Sequence, residues 1–229
     1  MQQALTSVLV PCRTSMRRNL VPGLVLQALA LSVVVLYSVW APFNTWLKGI
    51  GELKTDFGYA FSGLSTAVFG GLLPFAFLSA TGQLKKTRRG LVFAYYLLFW
   101  LWKGIEVDAF YRGQVWLFGD TASFVVIVRK TLFDQLIYCP FWAVPTQVVC
   151  FLWKDGDFSW VRLKAQLTDV PLGRRVVIVT LSSWVVWIPT VAVVYALPIG
   201  LQIPLFNLVI CFWSLMLTSL SRDTTERVV

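Results

Sequence analysis

The chain has 229 residues, of which 57% are hydrophobic and 14% are charged, and its formal net charge is +9. Soluble domains carry roughly a quarter charged residues, so this composition excludes an ordinary soluble protein and indicates an integral membrane protein. Its basic residues form short clusters beside apolar runs, as membrane-flanking anchors do, which favours a lipid bilayer over nucleic acid as the partner.

The chain begins with a polar leader, residues 1–23, which has three arginines and no acidic residue. The Pro22–Gly23 pair at its end is interpreted as a helix breaker. Residues 24–41 carry no charge, and at ~1.5 Å per residue they nearly cross a ~30 Å hydrocarbon layer. This is the first predicted span. A cleaved signal peptide or an organelle-targeting leader is the alternative, although no A-x-A cleavage site follows.

A polar turn is predicted at residues 44–57, and a second span at residues 58–80. Within that span, Gly63, Ala67 and Gly71 recur every four residues. Such a stripe of small residues lets two helix backbones approach closely in lipid, so we predict a helix-packing face here rather than a pore lining.

The third predicted span, residues 91–110, is rich in aromatic side chains. Three charged residues lie near its far end, at Lys103, Glu106 and Asp108. We expect these charges at the membrane interface rather than within the lipid. A turn is then predicted at residues 111–120.

Three further spans complete the predicted bundle, at residues 136–153, 176–197 and 199–220. Residues 121–133 are interpreted as a tilted or interfacial lead-in, because the apolar stretch is too long for one straight span. A hydrophilic loop at residues 154–175 separates the fourth span from the fifth.

Basic residues concentrate on alternate connecting segments, including the cluster Lys85, Lys86, Arg88 and Arg89. This asymmetry predicts six spans with both termini on the same, positive-rich side of the membrane. The predicted fold is therefore an all-α, proline-kinked transmembrane bundle. Residues 24–220 form one membrane domain between the leader and a polar tail at residues 221–229.

The most distinctive polar constellation lies at the mouth of the fourth span and consists of Lys130, Asp134 and Gln135. Lys130 and Asp134 are four residues apart, so on a helix they share a face and can pair. Pro140 follows and is expected to bend the helix. Polar groups that lead into a kinked apolar helix indicate either a pore or tight helix packing.

The sequence also restricts which catalytic and metal sites the protein could form. The chain has no histidine, so His-based triads, H-E-x-x-H zinc sites and imidazole proton relays are excluded. Its cysteines form no C-x-x-C pair and are interpreted as buried apolar residues; they are Cys12, Cys139, Cys150 and Cys211. We predict no metal and no cofactor, and we do not predict an enzyme, because no nucleophile lies near the few acidic residues.

The residues also carry a family resemblance. Lys130, Asp134, Gln135 and Pro140 reproduce a K-x-x-x-D-Q-x-x-x-x-P pattern. The C-terminal half adds Trp184, Trp187, Pro189, Pro198 and Trp213 at matching positions. Together these motifs resemble the Mpv-seventeen and peroxisomal-membrane-protein-twenty-two family over about residues 60–220.

The sequence also departs from the family pattern at several positions, which indicates a divergent member of the family. Ala192 and Tyr195 stand where the family usually has Gln and Asn, and the aromatic span at residues 91–110 is an addition. Pore chemistry assigned to that Gln and Asn does not transfer to this chain.

The resemblance implies a weakly selective channel for small solutes in an organellar membrane, either the mitochondrial inner or the peroxisomal membrane. A bacterial or plastid inner membrane is the alternative location. The residues leave two other functions open: a structural or assembly protein without transport activity, and an intramembrane enzyme. A homo-oligomer is possible in each case.

Overall fold

The computed structural model describes residues 2–82 and 88–226. Within these ranges the regular secondary structure is entirely helical, which confirms the predicted all-α class. The α-helices are α1 (Gln2–Val39), α2 (Ala41–Thr66), α3 (Leu73–Ala80), α4 (Arg89–Phe118), α5 (Phe124–Phe133), α6 (Val144–Asp155), α7 (Trp160–Asp169), α8 (Leu172–Tyr195) and α9 (Ile199–Glu226). Two π-helical segments, Ala67–Leu72 and Asp134–Ala143, join α2 to α3 and α5 to α6.

Five helical stretches in the described part of the chain are long and apolar enough to cross a membrane. They are Asn19–Val39, Ala41–Ala80, Arg89–Phe118, Phe124–Asp155 and Leu172–Tyr195. The sixth predicted span corresponds to a shorter apolar stretch, Ile199–Leu215. This pattern is compatible with a multi-pass integral membrane protein.

The chain divides into two compact units. The first unit contains the residues up to Val25 together with Val128–Ala192, and the second contains Leu26–Ile127 together with the chain from Val193 onwards. In the second unit α4 packs against α2 and the Ala67–Leu72 segment, while α9 packs against α2 and α3.

Helices are longer than predicted at three places. Helix α1 continues through Pro22 and Gly23, and the turns predicted at residues 44–57 and 111–120 are helical, the second as far as Phe118. The physical reason is that a segment surrounded by apolar groups satisfies its backbone internally, so polar side chains do not end a helix there. A Cβ added to Gly23 would lie 2.8 Å from Val186 Cγ2, so this glycine allows close helix contact.

The loop predicted at residues 154–175 also contains a helix, α7. Ser159 caps its N-terminus, because the serine hydroxyl accepts a hydrogen bond from the backbone N–H of Arg162. This is a standard N-cap arrangement, and the serine at that position was a usable sequence signal.

Helix α2 is broken at Gly58, where φ is 53° and ψ is −125°. That combination lies in a region that side-chain-bearing residues rarely adopt and glycine tolerates. The helix therefore has two parts, residues 41–57 and residues 59–66, that do not share one straight axis.

The predicted small-residue stripe lies against α4. A Cβ added to Gly63 would lie 3.2 Å from the Leu101 carbonyl oxygen, and one added to Gly71 would lie 3.0 Å from the Tyr96 carbonyl oxygen. Ala67 is buried at the start of the π-helical segment. In the basic cluster, Lys85 and Lys86 lie outside the described residues.

Candidate functional site

The predicted constellation lies at the junction of α5 and the Asp134–Ala143 π-helical segment. Lys130 is in the last turn of α5, and Asp134 and Gln135 open the π-helical segment. All three side chains are buried, with exposures of 2%, 4% and 3%. The structure thus places these residues in the interior of the first unit.

Asp134 accepts two hydrogen bonds on one carboxylate oxygen. Gln135 Nε2 donates to Asp134 Oδ1 at 3.0 Å, and the Cys139 thiol donates to the same oxygen at 3.2 Å. From α8, Trp184 Nε1 donates to the Gln135 carbonyl oxygen at 3.3 Å. Cys139 therefore contacts this group, although the sequence suggested only a buried apolar role for it.

Pairing of Lys130 with Asp134 is the first testable prediction. We expect Asp134→Asn to destabilise the protein by about 3 kcal/mol, because it would leave a buried ammonium without its countercharge. The double change Lys130→Met with Asp134→Leu should recover most of that loss. A double-mutant cycle measured by unfolding in detergent gives the coupling energy, and additive effects would show that the two side chains do not interact.

The family-like residues are distributed over both units. Pro140 lies inside the Asp134–Ala143 segment, and Trp184, Trp187 and Pro189 lie in α8. These four belong to the first unit, whereas Pro198 and Trp213 belong to the second.

A groove in the first unit has a volume of about 390 Å³ and is lined mainly by apolar residues of α6 and α8, including Leu152 and Ile178. Arg175 also lines it, but its guanidinium donates to the carbonyl oxygens of Val170 and Gln166 at 3.0 Å. This groove does not include the predicted constellation, and its walls suit lipid rather than a polar solute.

A second polar group, which sequence reasoning missed, lies inside the second unit. We call it the polar seam, and it consists of Lys54, Ser62, Ser65, Thr66, Asp108 and Asn207. Its centre is an ion pair in which Lys54 Nζ lies 2.8 Å from Asp108 Oδ1. The two side chains are 3% and 0% exposed. The sequence predicted Lys54 in a turn, and the structure corrects this, because Lys54 lies in helix α2. The location of Asp108 at the membrane interface stays a prediction.

Asp108 also binds a hydroxyl and a second cation. Ser62 Oγ donates to Asp108 Oδ2 at 2.8 Å, and Arg112 donates from Nε and Nη2 at 3.3 Å. The Arg112 side chain is 42% exposed, and its guanidinium lies 4.8 Å from the centre of the Tyr59 ring. A single carboxylate thus holds one buried and one partly exposed cation.

The seam continues along α2 to α9. Thr66 Oγ1 donates to Asn207 Oδ1 at 2.6 Å, and Asn207 Nδ2 donates to Ser65 Oγ at 2.8 Å. Thr66 and Asn207 are 0% and 2% exposed. Side chains of α2 and α4 therefore form one polar group around Asp108, and side chains of α2 and α9 form a second one around Asn207.

Further polar side chains are buried in the second unit, among them Gln114. Gln114 Nε2 donates to the Tyr195 hydroxyl at 3.0 Å. Gln114 Oε1 and Trp100 Nε1 are buried and have no hydrogen-bond partner within the described residues. An unpaired buried polar atom of this kind requires an explanation, and a water molecule or a polar ligand is the usual one.

Helices α2 and α4 pack so closely beside the seam that they leave no opening there. A Cβ added to Gly104 would lie 2.3 Å from the Ser62 carbonyl oxygen and 2.6 Å from Thr66 Oγ1. The seam is therefore closed along this contact.

The sequence indicated the seam through polar residues and glycines that recur every four positions. Lys54, Gly58, Ser62 and Thr66 form one such series on α2, and Gly104, Asp108 and Arg112 form another on α4. Residues four apart share a helix face, so two polar faces were visible once both segments were known to be helical.

The remaining chemistry is limited. Among the described residues no group of three His, Cys, Asp or Glu side chains is placed to hold a metal ion. The four cysteines are free thiols, and Cys12 and Cys211 are buried. The Cys12 thiol donates to the Ile178 carbonyl oxygen, and burial raises its pKa, which keeps it protonated.

Comparisons of the chain with family models, curated proteins and solved structures find no match. The functional interpretation therefore depends on the residues and their contacts.

Proposed function

We propose that this protein lets small polar solutes cross a membrane, along a pathway that includes the polar seam. The observation that supports this function is the Lys54–Asp108 ion pair, which is buried among the helices of the second unit and hydrogen-bonded to the Ser62 hydroxyl. Ionisable residues are costly inside membrane helices and commonly mark solute or ion pathways.

The unpaired atoms of the second unit support passage, although within the described residues Thr131 and Thr180 of the first unit also have an unpaired hydroxyl and lie outside the seam. A buried polar group without a partner costs about 1–3 kcal/mol, and a helix clamp gains nothing from it. Gln114 Oε1 and Trp100 Nε1 lie in the same unit as the seam. Both atoms offer a hydrogen-bond site to water or to a passing solute.

The close contact at Gly104 indicates that the proposed pathway is closed in this conformation. Conduction therefore requires a change of conformation that opens the seam elsewhere along its length. This is the behaviour of a gated pathway rather than of a permanently open pore.

A structural or assembly role is the second candidate. Each side chain of the seam has a hydrogen-bond or ionic partner, and polar side chains often tie membrane helices together. We do not propose an enzyme, because Asp108, the acidic residue of the seam, is engaged with Lys54 and Arg112, and Ser62 donates to it without a base beside the hydroxyl that is free of a cation. Membership of the Mpv-seventeen family, an organellar membrane and a homo-oligomer stay predictions.

Flux through liposomes that contain the purified protein tests the proposal, with a size series of neutral and charged solutes. We expect Gln114→Leu to lower flux about tenfold, equivalent to ~1.4 kcal/mol in the barrier, and to lower stability by about 1 kcal/mol, because the hydrogen bond to Tyr195 is also lost. The substitution removes an unpaired polar atom from the pathway and replaces it with an apolar group of similar size.

The matched control is Gln202→Leu, because Gln202 is also a buried glutamine of the second unit but donates to the Leu197 carbonyl oxygen, outside the seam. This control should keep the parent flux. Equal flux through the parent and Gln114→Leu would remove Gln114 from the pathway, and no flux of any solute would favour the structural role.

A further inference from the structure

Asp108 contacts both parts of the broken helix α2. Lys54 lies four residues before Gly58, and Ser62 lies four residues after it. Lys54 binds Asp108 Oδ1, and Ser62 binds Asp108 Oδ2, each at 2.8 Å. One carboxylate of α4 therefore bridges the break in the backbone.

The two parts of α2 are held against α4 in different ways. The second part, residues 59–66, packs against the α4 backbone, since a Cβ on Gly104 would overlap the Ser62 carbonyl oxygen and one on Gly63 would crowd Leu101. The first part, residues 41–57, is linked to α4 through the Lys54–Asp108 ion pair. Against α4, close packing holds the second part, whereas an ion pair that can exchange holds the first part, whose Gly51 packs on Gly200 of α9 instead.

We propose that Gly58 is a hinge in α2 and that Asp108 is its latch. While Lys54 stays on Asp108, residues 41–57 are held against α4 and the seam is closed. Release of Lys54 lets residues 41–57 swing about Gly58. Only the further step, that this swing admits solute, depends on the proposed function.

The break at Gly58 has the physical properties of a hinge. A glycine at positive φ changes its backbone angles at low cost, so rotation can be confined to this residue. Broken membrane helices are common beside transport sites, where their free backbone groups face protein or water rather than lipid. Lys54 lies in the last turn of the first part, where the helix dipole favours a positive charge.

Distances between spin labels on α2 and α4 test the hinge, in a background where the four native cysteines are replaced by alanine. The first label pair is Thr45→Cys with Trp116→Cys, both at exposed positions. Thr45 lies thirteen residues from the hinge, so a rotation of ~15° moves it by about 5 Å. The second pair, Leu64→Cys with Trp116→Cys, reports on the fixed part of α2 and is also exposed.

We expect Asp108→Asn and Lys54→Met to add a population displaced by about 5 Å at the Thr45 pair, with no change at the Leu64 pair. The matched control is Glu106→Gln, which breaks an ion pair whose partners, Lys103 and Glu106, both lie in α4. This control should leave both distances as in the parent.

The double change Lys54→Met with Asp108→Leu keeps the test usable if a single variant fails to fold. It should be stably folded and still show the displaced population at the Thr45 pair. Unchanged Thr45 distances in this folded variant, or equal broadening at both label pairs, would overturn the hinge. A displaced population without any solute flux would leave the hinge intact and contradict the proposed function instead.

Discussion

Replacing Asp108 by asparagine should lower the free energy of unfolding by about 3–5 kcal/mol, because it would leave the buried Lys54 ammonium without its countercharge. Lys54 is 3% exposed and has no access to bulk water in this conformation. Asparagine has nearly the same size as aspartate, so the loss would report charge rather than packing. Reversible unfolding of the purified protein in detergent measures it.

The double change Lys54→Met with Asp108→Leu is the control for that result. Replacing a whole buried ion pair by apolar side chains is often neutral or stabilising, so this variant should recover the stability that Asp108→Asn loses. A double variant no more stable than Asp108→Asn would mean that the ion pair does not explain the loss.

Gly104→Ala should destabilise the protein by about 3 kcal/mol, which is at the upper end of overpacking effects. The new methyl carbon would lie 2.3 Å from the Ser62 carbonyl oxygen, and a backbone atom cannot move aside as a side-chain end can. Helices α2 and α4 would have to separate to admit it. Thermal unfolding in detergent measures the change.

Gly113→Ala is the matched control in the same helix. A Cβ added at Gly113 meets no atom within 4 Å, and alanine favours a helix over glycine by roughly 0.5–1 kcal/mol. This variant should be as stable as the parent or slightly more stable. Equal stability of both alanine variants would contradict the close approach of α2 and α4.

The all-α class followed from composition, because an apolar chain in a membrane must satisfy its backbone within helices. The predicted turn at residues 44–57, and the predicted turn at residues 111–120 as far as residue 118, were wrong for a related reason. Polarity was interpreted as exposure, but Lys54 and Gln114 are buried against partners on other helices. Where a polar side chain finds a distant partner, its own segment stays helical.

The constellation at Lys130 and the polar seam differ in how far apart their members lie in the sequence. Lys130, Asp134 and Gln135 are close along the chain, so helical spacing alone predicts that they form a group. Thr66 and Asn207 are 141 residues apart, and local spacing cannot predict that contact. The break at Gly58 could not be predicted from the sequence either, because a glycine in an apolar run is more often a packing position.

The most direct test of the account is whether modification inside the polar seam blocks solute flux. In the cysteine-free background, Thr66→Cys places a thiol within the seam, and Leu64→Cys places one two residues away at a position that is 60% exposed. A small hydrophilic thiol reagent is applied to liposomes that contain each variant. We predict that the reagent reacts with Thr66→Cys and reduces its flux while flux through Leu64→Cys is unchanged. Full flux through the modified Thr66→Cys variant, or a conducting variant in which this thiol never reacts, would contradict a pathway through the seam.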